Sequence, residues 1–390
     1  MPYDFDTIID RRGAHCEKWD AMEAHYGVSP QDGISMWVAD MEFRPPPAVS
    51  EALQKELNHG IPGYWGDSEA YHQSIVNWME RRHKWKIQPS WISTTHGIVV
   101  AVNMLVQAFC KPGDKIIIQT PVYYPFAFAI AANGCQVINN RLVKEQDRYV
   151  MDLDDLKRQA DDRTRMIILC SPHNPGGRVW TQEELESLAE FCLSRNILMV
   201  SDEIHHDLVY SGHTHRILAS LSPELEDKAV ICSSASKTFN LAGTMTGNVI
   251  IANKALRKQF RDQLAKCGMF LPNRFGPLAA TAAYNHGEEW LESLLLYLEE
   301  NLRLISRTVE TNLPGVTCMP LEGTYLAWLG FSGLDTPMEE VIRRVEKEAR
   351  LALNHGHTFG PGGEDYMRMN FACPRPMLKQ ALDRLIKAFS

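Results

Sequence analysis

The sequence predicts an α/β protein in which helices cover a buried, mostly parallel sheet. Five nearly unbroken apolar runs, typical of parallel strands buried on both faces, lie at residues 115–119, 166–170, 197–201, 229–232 and 248–252. Helical patterns separate most of these runs, for example at residues 99–110 and 182–195. In such folds ligands bind beyond the carboxyl ends of the strands, so the functional loops are expected there.

The chain before these strands begins irregularly. Residues 1–48 are rich in Asp, Arg, Trp and Pro, and three consecutive prolines end at Pro47. Proline is excluded from a helix interior, so a helix is predicted to start just after the triplet, at Val49. A turn-rich patch at residues 60–66 separates it from a second helix, predicted over residues 69–84.

The character of the sequence changes after Pro277. Residues 288–312 carry leucines at helical spacing and predict one long helix. The remainder is predicted to contain an ordered stretch at residues 323–329, a helix near 338–353, a strand at 366–371 and a final helix from Pro376. This change suggests a large domain of residues 49–287 and a small domain of residues 1–48 and 288–390.

Composition narrows the function classes. The net charge of −8 argues against nucleic-acid binding, which needs a basic surface. The nine cysteines are scattered singly, which indicates neither a disulfide framework nor a zinc ribbon. The N-terminal residues lack the basic and apolar regions of a signal peptide, and no apolar run approaches the roughly 20 residues of a membrane helix. We therefore expect a soluble, reduced, cytoplasmic protein without a membrane partner.

Lys237 is the first candidate for a reactive group. It lies in a turn of small residues and hydroxyls, 233–240, that follows an apolar strand. Small residues allow close approach of a ligand, hydroxyls can bind a phosphate, and a desolvated lysine amine can react with a carbonyl. The alternative is a solvated lysine at a strand end.

Three more strand ends carry polar or aromatic side chains. Asp202 ends one strand, and a buried carboxylate needs a partner, either a cationic ligand group or backbone N–H groups. Asn174, flanked by prolines, follows another strand, although Asn-Pro-Gly is also a common turn. Tyr123 and Tyr124 follow a third strand and could face a ring or belong to the core.

Two further features suggest that the ligand is anionic. Gly97 and Ile98 open a predicted helix, whose N-terminus is a natural anion site. The P-loop and the Gly-x-Gly-x-x-Gly pattern are absent there, so a phosphate monoester is favoured over ATP or a dinucleotide. Arg368 interrupts an apolar strand, and a buried arginine needs a carboxylate from a substrate or from the protein itself.

A group of histidines raises the question of a metal. The segment contains His205, His206, His213 and His215. Their spacing fits no zinc motif of two histidines one helical turn apart with a catalytic glutamate, and no cysteine ligands lie nearby. No metal site is therefore predicted.

Taken together, these motifs resemble the fold-type I pyridoxal 5′-phosphate (PLP) enzymes, the aspartate aminotransferase superfamily. They follow the same order along the chain, namely Gly97-Ile98, Tyr123, Asn174, Asp202, Ser234-x-x-Lys237 and Arg368. The stretches 36–43, 171–175, 201–205 and 236–240 are similar to the MalY/PatB/cystalysin branch of cysteine-S-conjugate and cystathionine β-lyases. The resemblance spans essentially the whole chain. It implies a seven-stranded sheet in the large PLP-binding domain and a small α/β domain built from both chain ends.

The resemblance also implies roles for individual residues around the cofactor. Lys237 would hold PLP covalently and later move the Cα proton, while Asp202 would pair with the ring nitrogen. The remaining cofactor contacts would come from Asn174 and His205 near the ring oxygen, Tyr123 on the ring face, and Gly97, Ile98 and Ser234 at the phosphate.

Other implied roles concern the substrate and a second subunit. Arg368 would bind the substrate carboxylate with help from Asn174 and the backbone near Ala39, and Tyr124 would line the substrate side. Tyr64 would reach the phosphate of the neighbouring subunit, so the site would require a homodimer. Tyr64 and Tyr124 thereby join Lys237 as candidate catalytic residues.

Two positions depart from the aminotransferase pattern and favour a lyase. Met245 occupies the position where many aminotransferases have an arginine, eight residues after the lysine, and His205 replaces a frequent tyrosine. Both departures are shared by the β-lyase branch, so the expected function is PLP-dependent β-elimination from a cysteine thioether. The alternatives are an aminotransferase of the same fold, or a regulatory binding protein with secondary PLP chemistry.

Overall fold

The computed structural model describes residues 3–390 and confirms the predicted α/β class. Met1 and Pro2, which begin the predicted N-terminal part of the small domain, lie outside the described residues. The main sheet of the protein has seven strands. Their spatial order is Ile92–Thr95, Gly247–Ile250, Ala229–Ser233, Leu198–Asp202, Thr164–Cys170, Lys115–Ile118 and Gln136–Asn139. Only Gly247–Ile250 runs antiparallel to its neighbours, so the expectation of a mostly parallel sheet is confirmed for residues 3–390.

Both faces of this sheet are buried, as its apolar runs predict. On the strand Lys115–Ile118, Ile117 packs into one hydrophobic core, whereas Ile116 and Ile118 pack into another. This division follows from the alternation of side chains along a strand. A one-sided sheet would instead show alternating polar residues.

The helices have the signals that their sequences contain. The helix Gln182–Ser194 begins with a capping box, in which Thr181 and Glu184 each bind the other's backbone N–H. The helices with at least eight residues are Pro47–His59, Ser68–His83, Ile98–Phe109, Pro125–Ala132, Gln182–Ser194, Lys254–Lys266, Phe275–His286, Glu288–Asn312 and Arg375–Phe389. The shorter ones are Glu17–Asp20, Met22–Tyr26, Leu153–Gln159, Pro223–Lys228, Ala235–Thr238 and Met338–Arg343.

Three local predictions were wrong. The helix after the proline triplet starts at Pro47 rather than Val49, because the first helical position has no hydrogen-bonded N–H to lose. The segment 1–48 is not wholly irregular, since it contains two short helices and the strand Ile34–Ser35.

The third correction concerns the helix predicted near residues 338–353. It becomes a π-helical turn at Arg344–Glu348 and ends before Arg350, whose φ of 54° is left-handed. The chain then forms the strand Leu351–Ala352, parallel to Ile34–Ser35. The apolar run that extended the predicted helix is buried by strand pairing instead.

A second, antiparallel sheet lies in the C-terminal part of the chain. Its strands are Thr317–Cys318, Leu326–Gly330, Tyr366–Asn370 and Asn354–His355, in that spatial order. Arg368 pairs with Trp328 on one side and with Asn354 on the other. Among residues 3–390 no helix is long and apolar enough to cross a membrane.

Candidate active site

The carboxyl ends of the central strands meet at one edge of the main sheet. Asp202 lies opposite Cys170 on one neighbouring strand and opposite Cys232 on the other. The turns that carry Asn174 and Lys237 therefore leave the sheet beside Asp202. This register explains why residues far apart in sequence form one site.

Lys237 lies on the four-residue helix Ala235–Thr238, directly after the strand Ala229–Ser233. Its Nζ donates a hydrogen bond of 2.6 Å to the carbonyl oxygen of Ala39. Burial lowers the pKa of Lys237 to about 8, although Asp40 acts in the opposite direction. A lysine with this pKa can give up and accept a proton near neutral pH, unlike the solvated lysine considered as the alternative.

Asp202 is a buried carboxylate with few partners. Its side chain accepts a hydrogen bond of 3.2 Å from the backbone N–H of Ile204, and no ion pair within residues 3–390 includes it. Burial raises the pKa of Asp202 to about 7. A cationic ligand group is the kind of partner that would keep this carboxylate ionised.

Arg368 is also buried without a carboxylate partner in the described part of the chain. Its guanidinium donates to the side-chain oxygen of Asn174 at 2.9 Å and to the carbonyl of Trp37 at 2.8 Å, and it also binds the Asn354 side chain. Its Nε has no hydrogen-bond partner. The alternative of an internal salt bridge is therefore wrong for residues 3–390.

Asn174 and Tyr123 meet beside Arg368. The Tyr123 N–H donates to the carbonyl of Asn174 at 3.1 Å, while the Asn174 side chain orients Arg368. The Tyr124 ring lies 5.7 Å from the Tyr123 ring and 5.9 Å from the Phe359 ring, measured between centroids. The two tyrosines thus form one continuous aromatic wall with Phe359.

The predicted anion site has the expected backbone. Gly97 precedes the helix Ile98–Phe109 with a left-handed φ of 91°, and a Cβ there would meet only Met245, at 3.7 Å. The Ser234 hydroxyl donates to the Thr246 carbonyl at 2.6 Å and accepts from the Ser236 N–H at 3.0 Å. The backbone N–H groups at the start of this helix are the kind of site that binds an anion.

His205 and Tyr64 stand in opposite environments. His205 is buried, its Nδ1 has no partner, and burial, followed by the charges of Lys237 and Arg368, holds its pKa well below the ordinary range. Tyr64 is 92% exposed. Among residues 3–390, no side-chain hydrogen bond or ring contact joins Tyr64 to the other candidate residues.

Sequence reasoning missed the way in which the segment 36–43 supports the site. The carbonyl of Ala39 accepts from Tyr325 as well as from Lys237, and the carbonyls of Val38 and Asp40 both accept from Asn370. Asn354, which binds Arg368, was also missed. The only sequence signal for Asn354 was its position, as a polar residue directly after the apolar run 351–353.

Family comparison agrees with this geometry. Residues 32–385 match the family described as Aminotransferase class I and II. The chain belongs to this family. The seven-stranded sheet flanked by helices is the fold of similar solved structures.

Two relatives within this class I and II aminotransferase family are similar over nearly their whole length. Cystathionine beta-lyase PatB of Bacillus subtilis is 40% identical over 387 residues, which are 99% of this chain and 100% of PatB. Protein MalY of Escherichia coli is 30% identical over 390 residues, covering 99% of this chain and 98% of MalY. The similarity to the MalY/PatB branch is thereby confirmed.

A solved structure of a similar protein has the same fold. The crystal structure of cystalysin from Treponema denticola, which contains a pyridoxal 5′-phosphate cofactor, superposes with a TM-score of 0.95 at 36% identity. The superposition covers 100% of this chain and 99% of cystalysin. The fold is therefore shared throughout.

Proposed function

We propose that this protein is a PLP-dependent β C–S lyase that cleaves a cysteine thioether into a thiol, pyruvate and ammonia. The observation that carries the proposal is the Lys237 amine, which lies with Asp202 at one edge of the main sheet, while Arg368 of the second sheet reaches the same site through its hydrogen bond to Asn174. Neither Asp202 nor Arg368 has an ion-pair partner within residues 3–390. The similarity to PatB and cystalysin supports the same reaction.

The residues fit PLP. Asp202 is a buried carboxylate that needs a cation, which the protonated ring nitrogen would provide. Gly97, Ile98 and Ser234 would bind the phosphate, and Tyr123 would cover the ring face. Asn174 and His205, whose Nδ1 is unpartnered, would lie near the ring oxygen. When bound, PLP supplies an aldehyde that captures amines and a ring that withdraws electrons from the substrate Cα.

The chain's own residues would then act in a defined order. Arg368 would bind the carboxylate of the amino acid, since Asn174, Trp37 and Asn354 fix its guanidinium. Lys237, freed by the substrate amine, would take the proton from Cα, because its lowered pKa leaves part of the amine unprotonated near neutral pH. Loss of the thiol from Cβ and hydrolysis of the remaining three-carbon unit give pyruvate and ammonia.

The substrate test separates the lyase from an aminotransferase of the same family. Purified enzyme is incubated with L-cystathionine and with S-alkyl cysteines, with and without a 2-oxo acid. Release of thiol and pyruvate without the 2-oxo acid is expected. Strict dependence on the 2-oxo acid would overturn the proposal in favour of transamination. The matched control is Lys237→Ala, which should release neither product.

We also propose a homodimer whose site is completed by Tyr64 of the second subunit, in a cytoplasmic protein. Tyr64, Ile61 and Leu57 are 92%, 68% and 60% exposed, an apolar surface that a second subunit would cover. Mixing Lys237→Ala with Tyr64→Ala subunits should restore roughly a quarter of wild-type activity, because each heterodimer has one intact site. No recovery on mixing would contradict the shared site.

A further inference from the structure

A buried hydrogen-bond network surrounds the carboxylate of Asp207, which is 2% exposed. Three side chains donate hydrogen bonds to its two oxygens, namely Trp78 Nε1 at 3.1 Å, His83 Nε2 at 2.8 Å and Thr238 Oγ1 at 2.7 Å, and His206 Nε2 forms an ion pair with it at 3.0 Å. They come from a helix, from the loop after the strand Leu198–Asp202 and from the helix that carries Lys237. One carboxylate therefore joins three separate elements.

The carboxylate is held in its charged form. Burial alone would raise the pKa of Asp207, but the charge of the adjacent His206 and the hydrogen bond from His83 keep it well below the ordinary range. A charged acceptor makes stronger hydrogen bonds than a neutral one, so the bond from Thr238 is well fixed.

Thr238 is the neighbour of Lys237 on a helix of only four residues. A helix this short does not stabilise itself and depends on contacts outside it. The Thr238 hydroxyl reaches across to Asp207 rather than back to the preceding turn, which fixes the C-terminal end of the helix. Asp202 ends the strand five residues before Asp207, so Asp202 and Lys237 are both connected closely to this carboxylate.

We propose that Asp207 is a positioning residue for Lys237, acting through the Thr238 hydroxyl. The network fixes the turn from which the lysine amine reaches the Ala39 carbonyl. The inference rests on the proposed function, since it assigns Lys237 the proton transfer at Cα. The proposal concerns the orientation of the Lys237 amine and does not depend on which thioether is the substrate.

His83, His206 and Asp207 also offer ligand atoms within 4.8 Å of one another, a spacing that would suit a metal ion. The histidine nitrogens lie at hydrogen-bond distance from the carboxylate, and Trp78 and Thr238 also donate to it. This arrangement favours direct hydrogen bonds, and metal content is therefore part of the test.

The test compares Thr238→Val, which removes the hydroxyl, with Thr238→Ser, which keeps it. The matched control is Thr164→Val. Thr164 is also buried and also hydrogen-bonded to an aspartate, Asp161, but it lies at the start of the strand Thr164–Cys170, at the end away from the candidate site. For each PLP-loaded variant we would measure kcat, KM, the melting temperature, zinc content, and the pH midpoint of the visible absorption of the PLP–lysine adduct.

Thr238→Val should lower kcat about tenfold with KM within about twofold, because a small displacement of a catalytic group is costly. It should also move the absorption midpoint by about half a pH unit or more. Thr238→Ser should have the wild-type kcat and absorption midpoint. Thr164→Val should lower the melting temperature without changing kcat or the absorption midpoint.

The proposal would be overturned if Thr238→Val matched Thr164→Val in kcat and in the absorption midpoint. Stoichiometric zinc that survives dialysis against a chelator would also overturn it, since Asp207 would then be a metal ligand. The absorption midpoint is independent of the reaction catalysed. If the wild-type enzyme released no pyruvate, the proposed function would fail while the midpoint still tested the positioning role.

Discussion

Two lysines contact neighbouring carbonyls of the segment 36–43, yet their surroundings differ completely. Lys18 Nζ donates to the Asp40 carbonyl at 3.0 Å, and Lys237 Nζ donates to the Ala39 carbonyl at 2.6 Å. Lys18 also forms ion pairs with Glu42 at 2.7 Å and Asp40 at 3.4 Å, whereas no ion pair within residues 3–390 includes Lys237.

These different surroundings shift the pKa values of the two lysines in opposite directions. Burial alone would lower the pKa of Lys18, but Glu42 and Asp40 raise it above the ordinary value. For Lys237 burial prevails, and the pKa falls to about 8. A carboxylate partner thus makes one buried lysine a permanent structural cation, and its absence leaves the other able to exchange protons.

The largest effect is expected from removing the reactive lysine. Lys237→Ala should lower pyruvate release by at least about 10³-fold, because the chain then has no amine to move the Cα proton. PLP should remain bound only non-covalently or through the substrate. Wild-type pyruvate release by this variant, measured with a coupled assay, would show that Lys237 is not the catalytic lysine.

Removing the structural lysine should instead affect stability. Lys18→Met leaves the buried Glu42 carboxylate without its nearest cation and should lower the free energy of unfolding by about 3 kcal/mol. The measurement is denaturant unfolding. Lys115→Met is the control, since its ion pair with Asp161 is partly exposed and should contribute less than about 1 kcal/mol. Equal losses in the two variants would contradict the comparison.

Arg368 extends the comparison, because a buried arginine keeps its proton. Arg368→Lys keeps the charge but loses the planar fork that matches a carboxylate, so kcat/KM should fall about thirtyfold, mostly through KM. Steady-state kinetics with an S-alkyl cysteine measures this effect. If KM stayed at the wild-type value, Arg368 would not be the carboxylate ligand.

The smallest expected effect is that of pH on the wild-type enzyme. Only the unprotonated Lys237 amine can accept the Cα proton, so kcat should rise with pH and level off above the pKa of about 8. At pH 7 the rate should be about a tenth of the plateau. A kcat that stays constant between pH 6 and pH 9 would indicate that another group or step controls the rate.

The sequence predicted most of the site because of how a parallel sheet is built. Asp202, Asn174 and Lys237 each follow an apolar run, and runs that pair in parallel bring their carboxyl ends to one edge. Their roles remain predictions until the variants are measured. The division into domains at residues 48/49 and 287/288 also remains a prediction.

Other features depend on contacts that no local pattern encodes. Lys18 and Glu42, or His83 and Asp207, read as ordinary surface residues until the fold brings them together. The end of the helix predicted near residues 338–353 was missed because an apolar run suits a helix or a strand, and pairing with Ile34–Ser35 decided between them. The role proposed for the exposed Tyr64 depends on a second subunit and remains a prediction.

The three residues from Trp37 to Ala39 have one more consequence. The Trp37 carbonyl accepts from Arg368 and the Ala39 carbonyl accepts from Lys237, so a single short peptide contacts both side chains. In the proposed reaction, an amino acid held by its carboxylate at Arg368 and by its amine at the cofactor would direct its Cα hydrogen toward Lys237 in only one of its two mirror-image forms. The opposite enantiomer is therefore expected to bind without reacting.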